Sequence, residues 1–212
     1  MRSAARPKAA AEPRWQGSAV KWLQCNIAYR FSDPLTSCRA GLFLFREGIN
    51  MELKFQVQIK IQKPIAEVYD AVYDPKKLSG YFTNGGASAP LEGGTTVEWA
   101  FDDTPGQEKF SFPVEVVESV PNQKIVFKWQ GTKDKMNTVK VDFEKTGEDE
   151  TLVKISESGW DSTDEGLKMS YGNCMGWSQM LSALKAYKEY GINLRKGAYS
   201  GLYKPEDKAK GA

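Results

Sequence analysis

The amino-acid sequence predicts an α+β fold: one curved antiparallel sheet of about six strands wrapped around a long C-terminal helix, with two short helices after the first strand. Three observations carry this. Leu53, Phe55, Val57, Ile59 and Ile61 alternate with Lys54, Gln56, Gln58 and Lys60, the period-two pattern of a strand with one buried face. Trp177, Met180, Leu181, Leu184 and Tyr187 recur at three- and four-residue spacing, which sets them on one face of a helix within residues 163–190. Between these stretches, short period-two rows are separated by turn residues, so the strands are expected to run antiparallel in sequential order.

Each element has its own punctuation. Lys63-Pro64 ends the first strand, and Pro64 suits the first turn of a helix whose apolar stripe is Ile65, Val68, Tyr69 and Val72. A second short helix is expected over residues 76–81, turning Leu78, Tyr81 and Phe82 inward. Gly85-Gly86 and Gly93-Gly94 lack the following helix and the lysine-serine pair of a phosphate loop, and read as turns. The next inward rows are Val97, Trp99 and Phe101, then Phe110, Phe112, Val114 and Val116. After Pro121-Asn122 come Ile125, Phe127 and Trp129, followed by Val139, Val141 and Phe143. A tip at residues 147–149 leads into Leu152, Val153 and Ile155, and on to Gly159-Trp160. Ser162 or Thr163 can cap the long helix, and Gly191 stops it. The inward residues are bulkier than one helix face can tile flatly, so the sheet is expected to curve and leave a hollow beneath the helix.

Charge and composition narrow the function. The net charge of +2 is unevenly spread: residues 1–50 carry eight basic and three acidic side chains, a net of +5, which leaves −3 for the rest. A mildly acidic domain argues against a nucleic-acid surface, which needs clustered cations. No apolar run reaches membrane-spanning length. There is no histidine, which removes the commonest general base and zinc ligand and every triad built on one. No metal site and no cofactor is expected. Cys174 is the single cysteine after residue 50, which points to a reducing compartment and a cytoplasmic location. Residues 1–50 show no sustained periodicity. Arg46-Glu47-Gly48 can be encoded by a purine-rich ribosome-binding sequence, so Met51 is the expected start and residues 1–50 a disordered leader or translated upstream sequence. A genuine targeting or regulatory extension is the alternative.

No catalytic pair stands out. Glu98 and Glu115 fall on the outward phase of their strands, and Glu118 on the inward phase but at a strand end. Cys174 lies near the apolar helix face with no base nearby, as a small hydrophobe does.

The ordered set of residues then resembles a known family. It begins with Pro64, Val68-Tyr69, Ala71-Val72, Asp74-Pro75, Leu78 and Tyr81-Phe82. Leu91 to Gly94, Val114 to Val116, Pro121 and Lys124 to Phe127 with Trp129 continue it. It closes with Thr151 to Val153, Ser158 to Trp160, and Gly176-Trp177 ahead of Leu181, Leu184 and Tyr187. This pattern resembles the bacterial single-domain relatives of the activator of heat-shock protein 90 ATPase, in the START-like (SRPBCC) superfamily. The resemblance covers residues 51–191, implies the helix-grip fold of the birch-pollen allergen, and leaves residues 192–212 as a tail. Tyr81 stands where the family more often has tryptophan, and the charged insertion at residues 102–109 is either a lid or a longer hairpin.

The superfamily commonly binds small apolar molecules between sheet and long helix, and the leading expectation is such a binding protein rather than an enzyme. Any one aromatic is expected to be core packing, yet as a set they are expected to reach a cavity. The ligand-binding candidates are Tyr81, Trp99, Phe101, Phe112, Phe127, Trp129, Met169 and Trp177. Trp99, Trp129 and Trp177 need partners for their indole N–H groups and so point to a semi-polar space. Asn84, Met136, Tyr171 and Met175 are weighed as residues of a cavity mouth against ordinary packing or exposure. The alternatives are a chaperone-linked protein that stimulates a heat-shock protein 90 ATPase through its surface, and a cyclase or hydrolase using an inward tyrosine or carboxylate.

Overall fold

The computed structural model describes residues 52–102, 109–132 and 135–199. The expectations for residues 1–50, and most of the charged insertion at 102–109, lie outside these. In chain order the elements are β1 (Leu53–Ile61), α1 (Ile65–Tyr73), α2 (Pro75–Ser79), β2 (Gly86–Ala87), β3 (Thr96–Phe101) and β4 (Phe110–Val120). They continue with β5 (Lys124–Thr132), β6 (Lys135–Gly147), β7 (Glu150–Trp160) and α3 (Asp164–Tyr190). This is the α+β helix-grip arrangement: one curved antiparallel sheet with the long helix against its concave face.

Two features differ from the sequence expectation. There are seven strands, because the two-residue β2 adds an edge that is too short to leave a pattern. The order is β1-β7-β6-β5-β4-β3-β2, so it is sequential only from β2 to β7. α1 and α2 carry the chain from one sheet edge to the other, and β1 closes against β7, with Val57 opposite Ile155 and Ile59 opposite Val153. Register shifts at Val116/Glu118, Gln130/Thr132 and Lys145/Gly147 add an extra residue to a strand, which bends it and deepens the curve. The first of them also moves Glu118 off the inward phase: it is exposed and pairs with Lys124 at 2.9 Å.

The helices start and stop as their residues dictate. Asp74 accepts from the backbone N–H groups of Lys76 and Lys77 and so caps α2. The Thr163 hydroxyl oxygen accepts from Gly166 N–H at 3.0 Å, and Gly191, at φ 69°, ends α3 in the left-handed region. The core lies under the second half of α3. Leu181 and Leu184 there belong to one buried cluster with Val68 and Val72 of α1, Leu78 of α2, and Ile125, Val141 and Val153 of the sheet. Tyr81 is buried, its hydroxyl donating to Ala71 C=O at 3.2 Å and its ring stacked 5.3 Å from Tyr187. After Gly191 the chain turns back along the helix, and Tyr199 Oη donates to Gln179 Oε1 at 3.0 Å.

Candidate functional site

Neighbouring strands aim aromatic rings at one place. The register sets Trp99 opposite Phe112 and Phe101 opposite Phe110. Phe101 stacks on Phe112 with ring centroids 5.9 Å apart, and Phe112 meets Trp129 edge-on at 5.6 Å. Trp129 continues to Trp177 of α3 at 5.2 Å. Above these rings stands the first half of α3, whose facing residues are Glu165, Met169, Gly172, Asn173 and Gly176. A side-chain Cβ at Gly172 or Gly176 would meet nothing within 4 Å, so the helix leaves its side of the gap unfilled. The result is a cleft of about 620 Å³ between sheet and helix.

Beneath the cleft lies a carboxylate. Glu157 on β7 is 1% exposed. Its Oε1 accepts from Trp129 Nε1 at 2.9 Å, Asn137 Nδ2 at 2.8 Å and Asn173 Nδ2 at 3.1 Å. Its Oε2 accepts from Trp177 Nε1 at 2.8 Å and again from Asn173 at 3.3 Å. Both oxygens accept and neither donates, the pattern of an ionised carboxylate, and every donor is neutral. Burying a charge is costly unless its lone pairs are satisfied, and here four side chains satisfy them. The same bonds set both indoles edge-on to Glu157, and both border the cleft. Gly131 belongs to this cradle, because a Cβ there would come within 2.2 Å of the Asn137 side chain.

Of the candidates named from the sequence, Phe101, Phe112, Trp129, Met169 and Trp177 border the cleft. Trp99 and Phe127 lie behind it, 2% and 1% exposed, packed edge to face at 5.3 Å. Trp99 Nε1 is buried without an acceptor among the described residues, unlike the other two indoles. Tyr81 borders a second cavity of about 450 Å³, lined mainly by α3 and the segment after it, together with Met175 and Met180. Tyr171 and Met136 are exposed, and Asn84 donates to Asp102. Sequence reasoning overlooked Glu157, Asn137, Asn173 and Arg195. A signal for Glu157 was present: Thr151, Val153, Ile155 and Glu157 share one phase of β7, and all are buried.

Arg195, past the end of α3, lies over three rings, 4.8 Å from Phe101, 4.9 Å from Tyr199 and 5.8 Å from Phe82. A guanidinium over an aromatic face gains about 0.5–2 kcal/mol. Tyr81 is pushed well above its ordinary value by burial and then by Tyr187, which holds the phenol neutral. Burial, and then the Glu157 carboxylate, push the half-buried Cys174 thiol up, away from a thiolate nucleophile. Among the described residues no group of His, Cys, Asp or Glu could hold a metal ion, and no helix is long and apolar enough to cross a membrane. The cleft is walled mainly by aromatic rings, with Gln130, Thr132, Glu165, Asn173 and Arg195 as its polar members.

A model of the family described as "Activator of Hsp90 ATPase homolog 1-like protein" matches residues 62–189, more than half of the chain. No curated protein shows significant similarity. Among solved structures, protein SSP2350 from Staphylococcus saprophyticus is 24% identical with a TM-score of 0.56, over 68% of this chain and 96% of that one. Protein MLL2253 from Mesorhizobium loti is 16% identical with a TM-score of 0.56, over 66% and 99%. The Aha1 dimer from Colwellia psychrerythraea, a solution structure, is 20% identical with a TM-score of 0.53, over 66% and 99%. At these identities the likeness is one of fold.

Proposed function

The chain belongs to the Activator of Hsp90 ATPase homolog 1-like family, and from that premise we propose that it binds a small, mainly apolar molecule in the cleft between β3–β5 and the first half of α3. One observation carries the proposal: an aromatic-walled space of about 620 Å³ whose two indole walls are held by a buried carboxylate. That volume lies within the roughly 300–1,000 Å³ of small-molecule sites, which are typically apolar with a few placed polar groups. Apolar burial gains about 25 cal/mol per Å², so a wall of roughly 100 Å² contributes about 2.5 kcal/mol, on the order of fiftyfold in affinity. Cys174 as a free thiol supports a reducing, cytoplasmic setting as part of this reading.

Native mass spectrometry of the protein purified from its own cells tests it. The expected spectrum shows extra mass that leaves on denaturation. N-phenyl-1-naphthylamine, a neutral apolar fluorophore, is expected to bind the emptied protein and to lose about fiftyfold in affinity in Phe112→Ala. A protein that carries no extra mass and gives no fluorophore signal would sink the proposal. The family description favours a second reading, stimulation of an Hsp90-type ATPase through the surface. The exposed Tyr171 and Met175, one helical turn apart on α3, give that reading a place to act. Phe112→Ala leaves such stimulation intact, whereas Tyr171→Ala with Met175→Ala lowers it.

A further inference from the structure

Asn173 is where the buried carboxylate and the cleft meet. It lines the cleft from α3, and its Nδ2 donates to Glu157 Oε1 at 3.1 Å and to Oε2 at 3.3 Å. Those bonds settle which way the amide faces, because the reverse orientation would set Oδ1 against an acceptor-only carboxylate. Asn173 Oδ1 itself accepts no hydrogen bond among the described residues and is not sealed off by them. Beside it on the helix are Gly172 and Gly176, where a Cβ would meet nothing within 4 Å, so a bound molecule can reach the amide without displacing a side chain. Other polar members of the cleft also lean toward accepting. Thr132 Oγ1 donates its proton to Asp161 Oδ2 at 3.2 Å, and Glu165 is a carboxylate. Arg195, the cation of the cleft, lies over Phe101, which is two ring contacts away from Trp129.

We infer that Asn173 sets the specificity of the cleft: its Oδ1 accepts a hydrogen bond from the ligand, whose apolar body therefore carries a hydroxyl or an N–H and not a carboxylate. The inference rests on the binding reading above. An acceptor held in place by the protein discriminates through what is left unpaired. A ligand with a donor replaces the water it removes from Oδ1. One of the same shape without a donor removes the water and leaves the oxygen unsatisfied. An anionic ligand also meets repulsion from Glu165 at the cleft and Glu157 beneath it. Glu157 thus acts through Asn173 as well as through the indoles, since by occupying Nδ2 it leaves the ligand only an acceptor.

The test is displacement of N-phenyl-1-naphthylamine at neutral pH by three probes that share one ring system: 1-naphthol, 1-methoxynaphthalene and 1-naphthoate. In the unaltered protein the naphthol is expected to bind about tenfold more tightly than its methyl ether, as one satisfied hydrogen bond allows, and the naphthoate most weakly of the three. In Asn173→Ala the ratio of naphthol to ether affinity is expected to fall to about one. The ratio is read within each protein, so a purely structural role for Asn173 in supporting Glu157, which alters both probes alike, does not move it. Equal binding of naphthol and ether in the unaltered protein overturns the inference without recourse to a variant. A ratio that survives in Asn173→Ala, or a naphthoate that binds as tightly as the naphthol, overturns it too. Each of these outcomes leaves the binding reading standing. No displaceable fluorescence in either protein overturns the binding reading itself, and the inference with it.

Discussion

The two halves of α3 face the same sheet with different consequences. From Trp177 to Leu184 the helix buries Trp177, Met180, Leu181, Ala183 and Leu184, and the sheet beneath offers aliphatic partners such as Ile125 and Val153. From Asp164 to Gly176 it buries only Gly166 and Ser170, and the sheet beneath offers aromatic rings. Large side chains on the helix meeting medium ones on the sheet fill the space. Glycines, Asn173 and a flexible methionine opposite large rings do not. Glu157 marks the border, binding Asn173 from the open half and Trp177 from the closed half. Stability is thus concentrated at one end of the helix, which leaves the other free to enclose something else.

The comparison breaks most visibly at its closed end. Leu184→Ala, at a position with no exposure, is expected to lower unfolding stability by about 2–5 kcal/mol in urea titration, while Met169→Ala over the cleft changes it by less than about 0.5 kcal/mol. Equal losses would mean that the cleft is as tightly packed as the core. Glu157→Gln keeps the shape but turns an N–H toward donors that now lack an acceptor. A loss of about 1.5–3 kcal/mol is expected, together with weaker fluorophore binding as the indoles lose their orientation. A variant with full stability and binding would show that the carboxylate does not hold the walls.

Two glycines separate the halves more finely. Gly131→Ala drives a methyl into Asn137 and is expected to cost about 1–3 kcal/mol. Gly176→Ala meets open space in mid-helix and is expected to stabilise by about 0.5–1 kcal/mol. Matching signs in thermal unfolding would contradict the packing described at one of them.

The smallest effect is one of pH, away from the cleft. Tyr73 donates to Glu92 at 2.5 Å, and that bond, with burial, pushes its phenol up to about 12. Because the folded value lies above the ordinary one near 10, the stabilisation is complete below pH 10 and is lost as pH rises toward 12. Tyr81, also raised, acts in the same direction. Tyr73→Phe is expected to flatten part of the alkaline fall in stability while leaving fluorophore binding at pH 8 unchanged. An unaltered slope would remove Tyr73 from that account.

Much of the fold was legible in the residues because side-chain phase is a local property. β1 reads directly from Leu53 to Ile61, and α3 from its apolar spacing, its Thr163 cap and its Gly191 stop. The site was legible only as a collection of large inward rings. Trp99, Phe101 and Trp129 all point inward, yet one is sealed in the core while the others border open space. That distinction depends on what stands opposite, and the residues opposite come from α3, far later in the chain. Glu157 was overlooked because a carboxylate on an inward phase has no local partner. Its four donors come from β5, β6 and α3, between 16 and 28 residues away.

The sequence by itself determined most of the buried faces, where the long helix begins and ends, and that a histidine-dependent site is excluded. Periodicity, capping and composition all act within a few residues. Tertiary structure alone decided that β1 closes on β7, that Glu157 gathers two indoles and two amides, and that Arg195 lies over the rings of Phe82, Phe101 and Tyr199. Each of these is a meeting of side chains distant in the chain, and only packing settles which of them share a volume and which leave one empty.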